Sequence, residues 1–484
     1  MKKEIRDKYE VVIGLEIHAQ LSTASKIYYS DSTEFGNAPN TNISAIALGH
    51  PGTLPILNKK VVEYAIKMGL ACNCDITREM IFDRKNYFYP DLPKGYQITQ
   101  DRTPICVGGE IPINLKEGGE RAIKLNRIHI EEDAGKSMHL AGEADTLVDY
   151  NRAGVPLIEI VTEPVIKDAY EAQTVLSEIR KLVRYLEICD GNMEEGSMRC
   201  DVNISVRTVG AKELGKKAEV KNLNSIRNVQ RAIDFETKRQ IEALEAGEEI
   251  DSETRNFDDV TGITTGMRTK EALNDYRYFP DPDLSPVHVS EEWLNSIKST
   301  MPALPRELYH KYIKEYGLPE LDALVLTDTK ELATYFEELS SITKNYKASS
   351  NWMMGPVKSY LNDSSIKIED FTLSPNRLAE LIKLVEDNKV SFSAASQKLF
   401  AALVAEESKS ALHLAEEMNL MQDSDTDTLG ELADAIVAEF PDKVLAYQKG
   451  HKGLLGMFMG ELMKRSNGKA DPKVANELLR QKLG

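Results

Sequence analysis

Long apolar runs are missing from this 484-residue sequence. The longest, such as Ile43 to Leu48 and Gly453 to Gly460, fall far short of the roughly 18 to 20 residues that cross a bilayer, so no membrane span is expected. The first residues, MKKEIRDKYE, hold no apolar core and no small-residue cleavage site, which argues against a secretory signal and for a cytoplasmic location. Cysteine is scarce: Cys72, Cys74, Cys106, Cys189 and Cys200 are odd in number, irregularly spaced and without a CxxC pair. That disfavours both a disulfide framework and a zinc ribbon and predicts reduced, mostly buried thiols. Basic residues are in deficit, 60 against 77 acidic ones, and the net charge of −17 disfavours non-specific attraction to a nucleic-acid backbone. Familiar catalytic signatures are also wanting. Gly135-Lys136-Ser137 ends like a phosphate-binding loop, but Ile130 stands where that loop needs its first glycine. With no HExxH, GxSxG, GxCxG or kinase HRD and DFG set, covalent hydrolytic catalysis is not expected.

What is present reads as packed globular protein, 42% hydrophobic and 28% charged. The length predicts about three domains. Up to about residue 290, short alternating segments dominate; beyond it the apolar spacing becomes helical, in Glu291 to Met301, Lys330 to Ile342 and Pro375 to Asp387. The proline-spaced stretch Phe279 to Pro286 marks the change. The expected class is therefore α+β, a β-rich domain with packed helices over 1–292, a helical domain over 293–410 and a helical tail over 411–484. The acidic run Gln422 to Asp427 reads as either a linker or a helix start. A helix is predicted from Asp168, with Asp168 and Glu171 as a capping pair and Gly191 as its stop, and another from Ser225 to Ala246 with Asn224 as cap. The tail is basic within an acidic chain, with nine Lys or Arg against four acids from Asp442 to Gly484.

The β-rich part carries acids on strand faces. From Tyr9 to Leu21, Val11, Ile13, Leu15, Ile17 and Ala19 point one way, while Gly14, Glu16, His18 and Gln20 point the other. Met198 to Arg207 repeats the device with Arg199, Asp201, Asn203, Ser205 and Arg207. Ala218-Glu219-Val220-Lys221 is a shorter case, and Ile123 to Ile130 runs into Glu131-Glu132-Asp133. Such faces usually meet water. If they converge, they form a hard, oxygen-rich site suited to Mg²⁺ and phosphoryl chemistry.

Several ordered blocks then resemble a known family: Val12 to Leu21, Phe82 to Asp91, His129 to Lys136, Asn151 to Ile160, Glu194 to Asp201, Glu219 to Ser225, Asp275 to Pro280 and Gly468 to Pro472. Together they resemble the B subunit of the tRNA-dependent amidotransferase that makes Gln-tRNA(Gln) and Asn-tRNA(Asn). The resemblance implies a β-rich cradle, a helical domain and a tRNA-binding tail. It implies ATP-dependent phosphorylation of the side-chain carboxylate of mischarged Glu-tRNA(Gln) or Asp-tRNA(Asn), then attack by ammonia. It also implies a glutaminase A subunit of amidase fold and a small C subunit as partners. By motif, Glu16, His18, Glu132, Asp201 and Glu219 match metal positions, with Glu131 as a neighbour. Lys85 and Asn86 resemble residues of the ammonia route or substrate pocket, and Arg152, Lys221 and Asn203 are candidates for phosphate or nucleotide. Lys464, Arg465 and Lys469 are the candidate tRNA contacts. The Gly456 and Gly460 pair reads as close helix packing. Some family members carry zinc between cysteines after the first strand; Tyr29 to Asp31 and Ser44 to Ala47 hold none, so zinc is not expected. Two rivals stay open: a non-catalytic tRNA-binding scaffold, and a kinase or ligase for a free small-molecule acid.

Overall fold

In the computed structural model, which describes residues 2–139, 142, 144–269, 276–422, 426–466 and 470–484, the alternating segments do become strands of one sheet. In chain order these are β1 (Tyr9–Gln20), β2 (Asp75–Ile76), β3 (Cys106–Val107), β4 (Glu110–Asn114), β5 (Glu120–Glu132), β6 (Pro156–Thr162), β7 (Met198–Thr208), β8 (Ala218–Leu223), β9 (Glu253–Phe257) and β10 (Thr264–Thr269). Across the sheet they run β10-β9-β8-β7-β1-β6-β5-β3-β2, with β4 on the first half of β5. All pairings are antiparallel except β8 with β9. The long, regular strand β1 is central, paired with β6 on one side and β7 on the other.

The apolar sheet face is closed by helices α1 (Lys59–Ala71), α2 (Ala169–Tyr185) and α3 (Ile226–Glu245). Ile13, Leu15 and Ile17 of β1 are fully buried in one core with Val175, Ile179 and Val183 of α2 and Val229 and Ile233 of α3. Each such side chain contributes about 1.5–3 kcal/mol by leaving water. All five cysteines are buried, free thiols. Asp168 caps α2 as expected, accepting from the Glu171 N–H at 2.8 Å. The helix stops at Tyr185 rather than near Gly191, because Glu187 takes a positive φ of 55°. The cap of α3 is Ser225, accepting from the Asn228 N–H at 3.1 Å, and not Asn224.

Phe279 to Pro286 does not separate packing units. Phe279 and Pro280 pair with Arg84 and Asp83, and Arg84 bonds Asp281 at 2.7 Å and Asp283 at 2.9 Å. Helix α4 (Glu291–Ser299) buries Leu294 and Ile297 in the same core. The first compact unit accordingly runs to Leu304 and the second from Pro305 to Gly484.

The second unit is helical throughout, which completes the α+β class expected from the sequence. Its last helices, Thr426–Glu439, Leu455–Arg465 and Pro472–Leu483, close a core around Leu429, Ile436, Phe458, Leu462 and Leu479. A Cβ added at Gly456 or Gly460 would meet nothing within 4 Å, so that pair does not serve close helix packing.

Lys26 is buried, its Nζ donating to the Asn42 carbonyl at 2.6 Å, while Ser44 Oγ donates to Asp31 at 2.7 Å. Burial pushes the Lys26 ammonium down to about 8. Between about pH 8 and 10.5 the unfolded chain binds that proton and the folded chain does not, so this group's contribution to stability rises with pH across the window. Lys26→Met lacks the effect. Urea titrations at about pH 7.5 and 10 will show wild type gaining roughly 2 kcal/mol relative to the variant.

Candidate active site

The face of β1 opposite the helices is open, and cross-strand register decides what meets there. His129 of β5, Glu159 of β6, His18 of β1 and Arg199 of β7 stand opposite one another in sequence across four strands. Two residues along β1, Glu16 faces Asp201; beyond it Gly14 faces Asn203, which faces Glu219 of β8. A register shift between Cys200 and Val202, beside the left-handed Asn222 (φ 66°), leaves Lys221 over the same spot.

Two groups result. In the first, one carboxylate oxygen each from Glu16, Asp201 and Glu219 lie within 4.8 Å of one another. Lys221 Nζ contacts Asp201 at 2.5 Å and Glu219 at 2.9 Å, and Thr254 Oγ1 donates to Glu219 at 3.1 Å. Asn203 Nδ2 donates to Glu16 at 2.8 Å, while its buried Oδ1 has no hydrogen-bond partner among the described residues. Burial, and then the charges of Glu159, Glu219 and Asp201, hold the Glu16 carboxyl above its usual range. Burial opposes charging Lys221, but Asp201 and Glu219 outweigh it and raise its pKa.

In the second group, His18 Nε2 lies 3.5 Å from both Glu131 and Glu159, and His129 Nε2 lies 3.1 Å from Glu159. Burial works against protonated imidazoles, yet these carboxylates raise His18 and bring His129 to about 9. Burial alone would raise Glu159, but His129 and His18 hold it well below the ordinary carboxylate range. A metal taking His18 Nε2 would have to displace a proton. At the end of the face, Asp133 accepts from Gln20 at 2.9 Å and Arg199 at 2.8 Å, with Arg152 at 3.6 Å. Despite burial, Arg199 and Arg152 keep that carboxyl low.

The sequence-predicted residues divide accordingly. Glu16, Asp201, Glu219, Lys221 and Asn203 meet in the first group, and His18 and Glu131 in the second. Glu132 enters neither: its neighbours in β5 alternate, so it falls on the opposite side from Glu131. There its carboxylate holds Lys94 Nζ at 2.6 and 2.5 Å and accepts the Ile98 N–H at 2.9 Å. Arg152 is engaged with the Ala134 and Gly135 carbonyls at 2.9 and 2.6 Å, which shapes the turn after β5. Lys85 and Asn86 belong to a separate small sheet. Lys85 Nζ sits 4.9 Å above the Tyr276 ring, and Asn86 Nδ2 donates to the Arg277 carbonyl at 2.9 Å. In the same block the Tyr87 phenol is raised first by burial and then by the charges of Glu131 and Asp91. Lys464 is exposed; Arg465 is paired with Glu439 and, at 3.9 Å, with Glu461; Lys469 lies outside the described residues.

Sequence reasoning passed over Glu159 and His129, and counted Asp133 among the acids after Ile130 without giving it a role. The signal for Glu159 was available: it is the one charged residue in the otherwise uncharged strand Pro156–Thr162. His129 shares strand parity with Glu131.

The donor chemistry of the first group, three crowded carboxylates and an orphaned amide oxygen, fits a hard divalent cation such as Mg²⁺. Fold and face together define a carboxylate-rich catalytic cradle followed by a helical unit. Comparison with known proteins gives the family. The GatB/GatE catalytic domain matches residues 11–295 and the GatB domain residues 334–483. The B subunit of the aspartyl/glutamyl-tRNA(Asn/Gln) amidotransferase of Caldicellulosiruptor bescii is 49% identical over 479 residues, covering 98% of this chain and 99% of that one. Those of Thermosynechococcus vestitus (50%, 98% and 96% covered) and Clostridium tetani (45%, 98% and 99% covered) are similar along their length. This chain belongs to the B-subunit family of tRNA-dependent amidotransferases.

Proposed function

We propose that the chain is the phosphorylating and transamidating subunit that converts Glu-tRNA(Gln), Asp-tRNA(Asn) or both to the amidated forms, using ATP. A free carboxylate resists ammonia because it is a resonance-stabilised anion. The esterified amino acid's side-chain carboxylate therefore takes the γ-phosphoryl group of ATP, releasing ADP. Ammonia then attacks the acyl carbon, the C–O bond to phosphate breaks, and amide and inorganic phosphate leave. The observation that carries this reading is the Glu16–Asp201–Glu219 group with the unpartnered Asn203 oxygen beside it.

Glu16, Asp201, Glu219 and Asn203 would hold Mg²⁺, which when bound neutralises phosphate oxygens as charge moves between them. Lys221 adds a fixed positive charge at the same place and suits a transferring phosphoryl group. Positioning supplies much of the rest, so no protein nucleophile is required. Ammonia would come from a glutaminase A subunit, with a small C subunit completing the complex. Lys85 and Asn86 are proposed for the route to the face. The separate core of the last helices supports the tail, 411–484, as the part that meets the body of tRNA.

The assembled complex given mischarged tRNA, ATP and ammonium chloride in place of glutamine should form one amide per ADP. ATP consumption indifferent to charged tRNA refutes the proposal, and tRNA binding with no ADP formed by any assembly would favour the scaffold. In filter binding, Lys464→Ala should lower the salt dependence of tRNA affinity by about one counterion. Arg465→Ala should change it less, because Glu439 and Glu461 already compensate that guanidinium.

A further inference from the structure

The Glu219 carboxylate is set from two directions. Lys221 Nζ lies 2.9 Å from its Oε1, and Thr254 Oγ1 donates to its Oε2 at 3.1 Å. The two contacts differ in kind. Lys221 carries its charge on a long flexible stem, shares it with Asp201 and, in the reaction proposed above, also serves a phosphoryl group. The Thr254 hydroxyl is buried, stands on a stiff β-branched carbon and has a single proton to donate, which goes to Glu219.

The placement of Thr254 is built from the helix side of the sheet. β8 and β9 run parallel in a register that sets Thr254 opposite Glu219. Against β10 the register of β9 shifts between Thr254 and Arg255, the kind of irregularity that re-aims side chains beside functional sites. Arg255 then turns to the helices. Its Nε lies 2.9 Å from the Glu236 carboxylate of α3, and its Nη2 donates to the Thr264 carbonyl of β10 at 2.9 Å. Glu236 is fully buried and also accepts from Arg239 Nη2 at 2.8 Å, from Gln240 Nε2 at 3.2 Å and from the Thr264 hydroxyl. A buried carboxylate held by this many donors is costly to displace, so β9 is pinned at the residue that follows Thr254.

We infer that Thr254 is a positioning residue for the phosphorylating site: its hydroxyl turns the Glu219 carboxylate so that one oxygen joins those of Glu16 and Asp201 around a divalent cation. The inference rests on the cation-binding role of Glu219 proposed above and adds what orients that ligand. A metal-binding carboxylate is itself held by hydrogen bonds, and losing one such bond typically costs about 10–100-fold in metal affinity or activity. A hydroxyl suits the task because it donates without bringing a charge that competes with the cation. A side chain needed only to fill the space beside β8 could equally be valine, which has the same branched shape and no donor.

The test uses the assembled complex with Mn²⁺ as the probe, its affinity read by electron paramagnetic resonance. Thr254→Val should weaken Mn²⁺ roughly tenfold or more, and Thr254→Ser, which keeps the donor, should stay within about threefold of wild type. Thr254→Ala needs no room that threonine lacks and carries the same expectation should Thr254→Val fail to fold. Unchanged Mn²⁺ affinity in whichever of these two folds overturns the inference, and so does Thr254→Ser binding as weakly as Thr254→Val. Glu219→Gln separates the two levels. If it weakens Mn²⁺ and Thr254→Val does not, the positioning role alone is discarded; if it leaves Mn²⁺ affinity intact, the cation assignment of Glu219 falls and the positioning role with it. Where both weaken it, Thr254→Val combined with Glu219→Gln should bind no more weakly than Glu219→Gln alone, because the hydroxyl acts through that carboxylate; losses that multiply independently overturn the inference.

Discussion

Asp201→Asn and Glu219→Gln each lower ADP formation on mischarged tRNA by about 100-fold or more in single-turnover experiments, with tRNA affinity unchanged. The size follows from what one preorganised charged group contributes at a transferring phosphoryl centre. Stability should change little. Three carboxylates share one small region, and two unit charges about 4 Å apart repel by roughly 4 kcal/mol at an effective dielectric constant of 20. The Glu16 carboxyl is raised first by burial and then by the charges of Glu159, Glu219 and Asp201. Removing one negative charge relieves that repulsion but also takes from Lys221 one of its two carboxylate partners, the other remaining in place, so the thermal midpoint of either variant should stay near that of wild type. Lost activity at an unchanged midpoint cannot come from unfolding. Retained ATP-dependent transamidation in both variants would remove the metal assignment.

Glu132→Ala behaves differently. Its carboxylate and the Lys94 ammonium are both buried, 2.5 Å apart at the closest, so truncation strands a cation without its partner. Unfolding free energy should fall by about 3–5 kcal/mol, measured by urea titration of the chain. Replacing both members, Glu132→Leu with Lys94→Met, should recover most of the loss, because an apolar pair of similar bulk has no charge to leave unpaired. Mn²⁺ affinity of the folded variant should be unchanged. Weakened Mn²⁺ binding at normal stability would instead return Glu132 to the metal group, where its motif places it.

The contrast between Asp201 and Glu132 shows what was legible. Alternation placed Glu16, His18, Asp201, Asn203 and Glu219 on polar strand faces, and the faces do meet. The same rule applied to Glu131-Glu132 separates the two, since consecutive strand residues point to opposite sides. Motif resemblance overrode that rule and selected Glu132. Glu159 falls within a matching block yet carries no role in the sequence, because an isolated acid in an apolar strand has meaning only once its neighbours across the sheet are known. Prolines at 280–286 looked like a boundary, but edge pairing with Asp83 and Arg84 and the burial of Leu294 and Ile297 carried the first unit on to Leu304.

By itself the amino-acid order determined the α+β class, the main polar-faced strands and which of their sides is polar, and the family to which the chain belongs. These are local or cumulative properties, set by side-chain period, capping and the agreement of many positions. Only the tertiary structure decided which acids share a site. Register between strands far apart in sequence puts Glu159 beside His18 and Lys221 over Asp201, and the shift at Cys200 and Val202 brings Glu219 into reach. Registry is fixed by packing of the whole buried face against its helices, and no single strand carries that information.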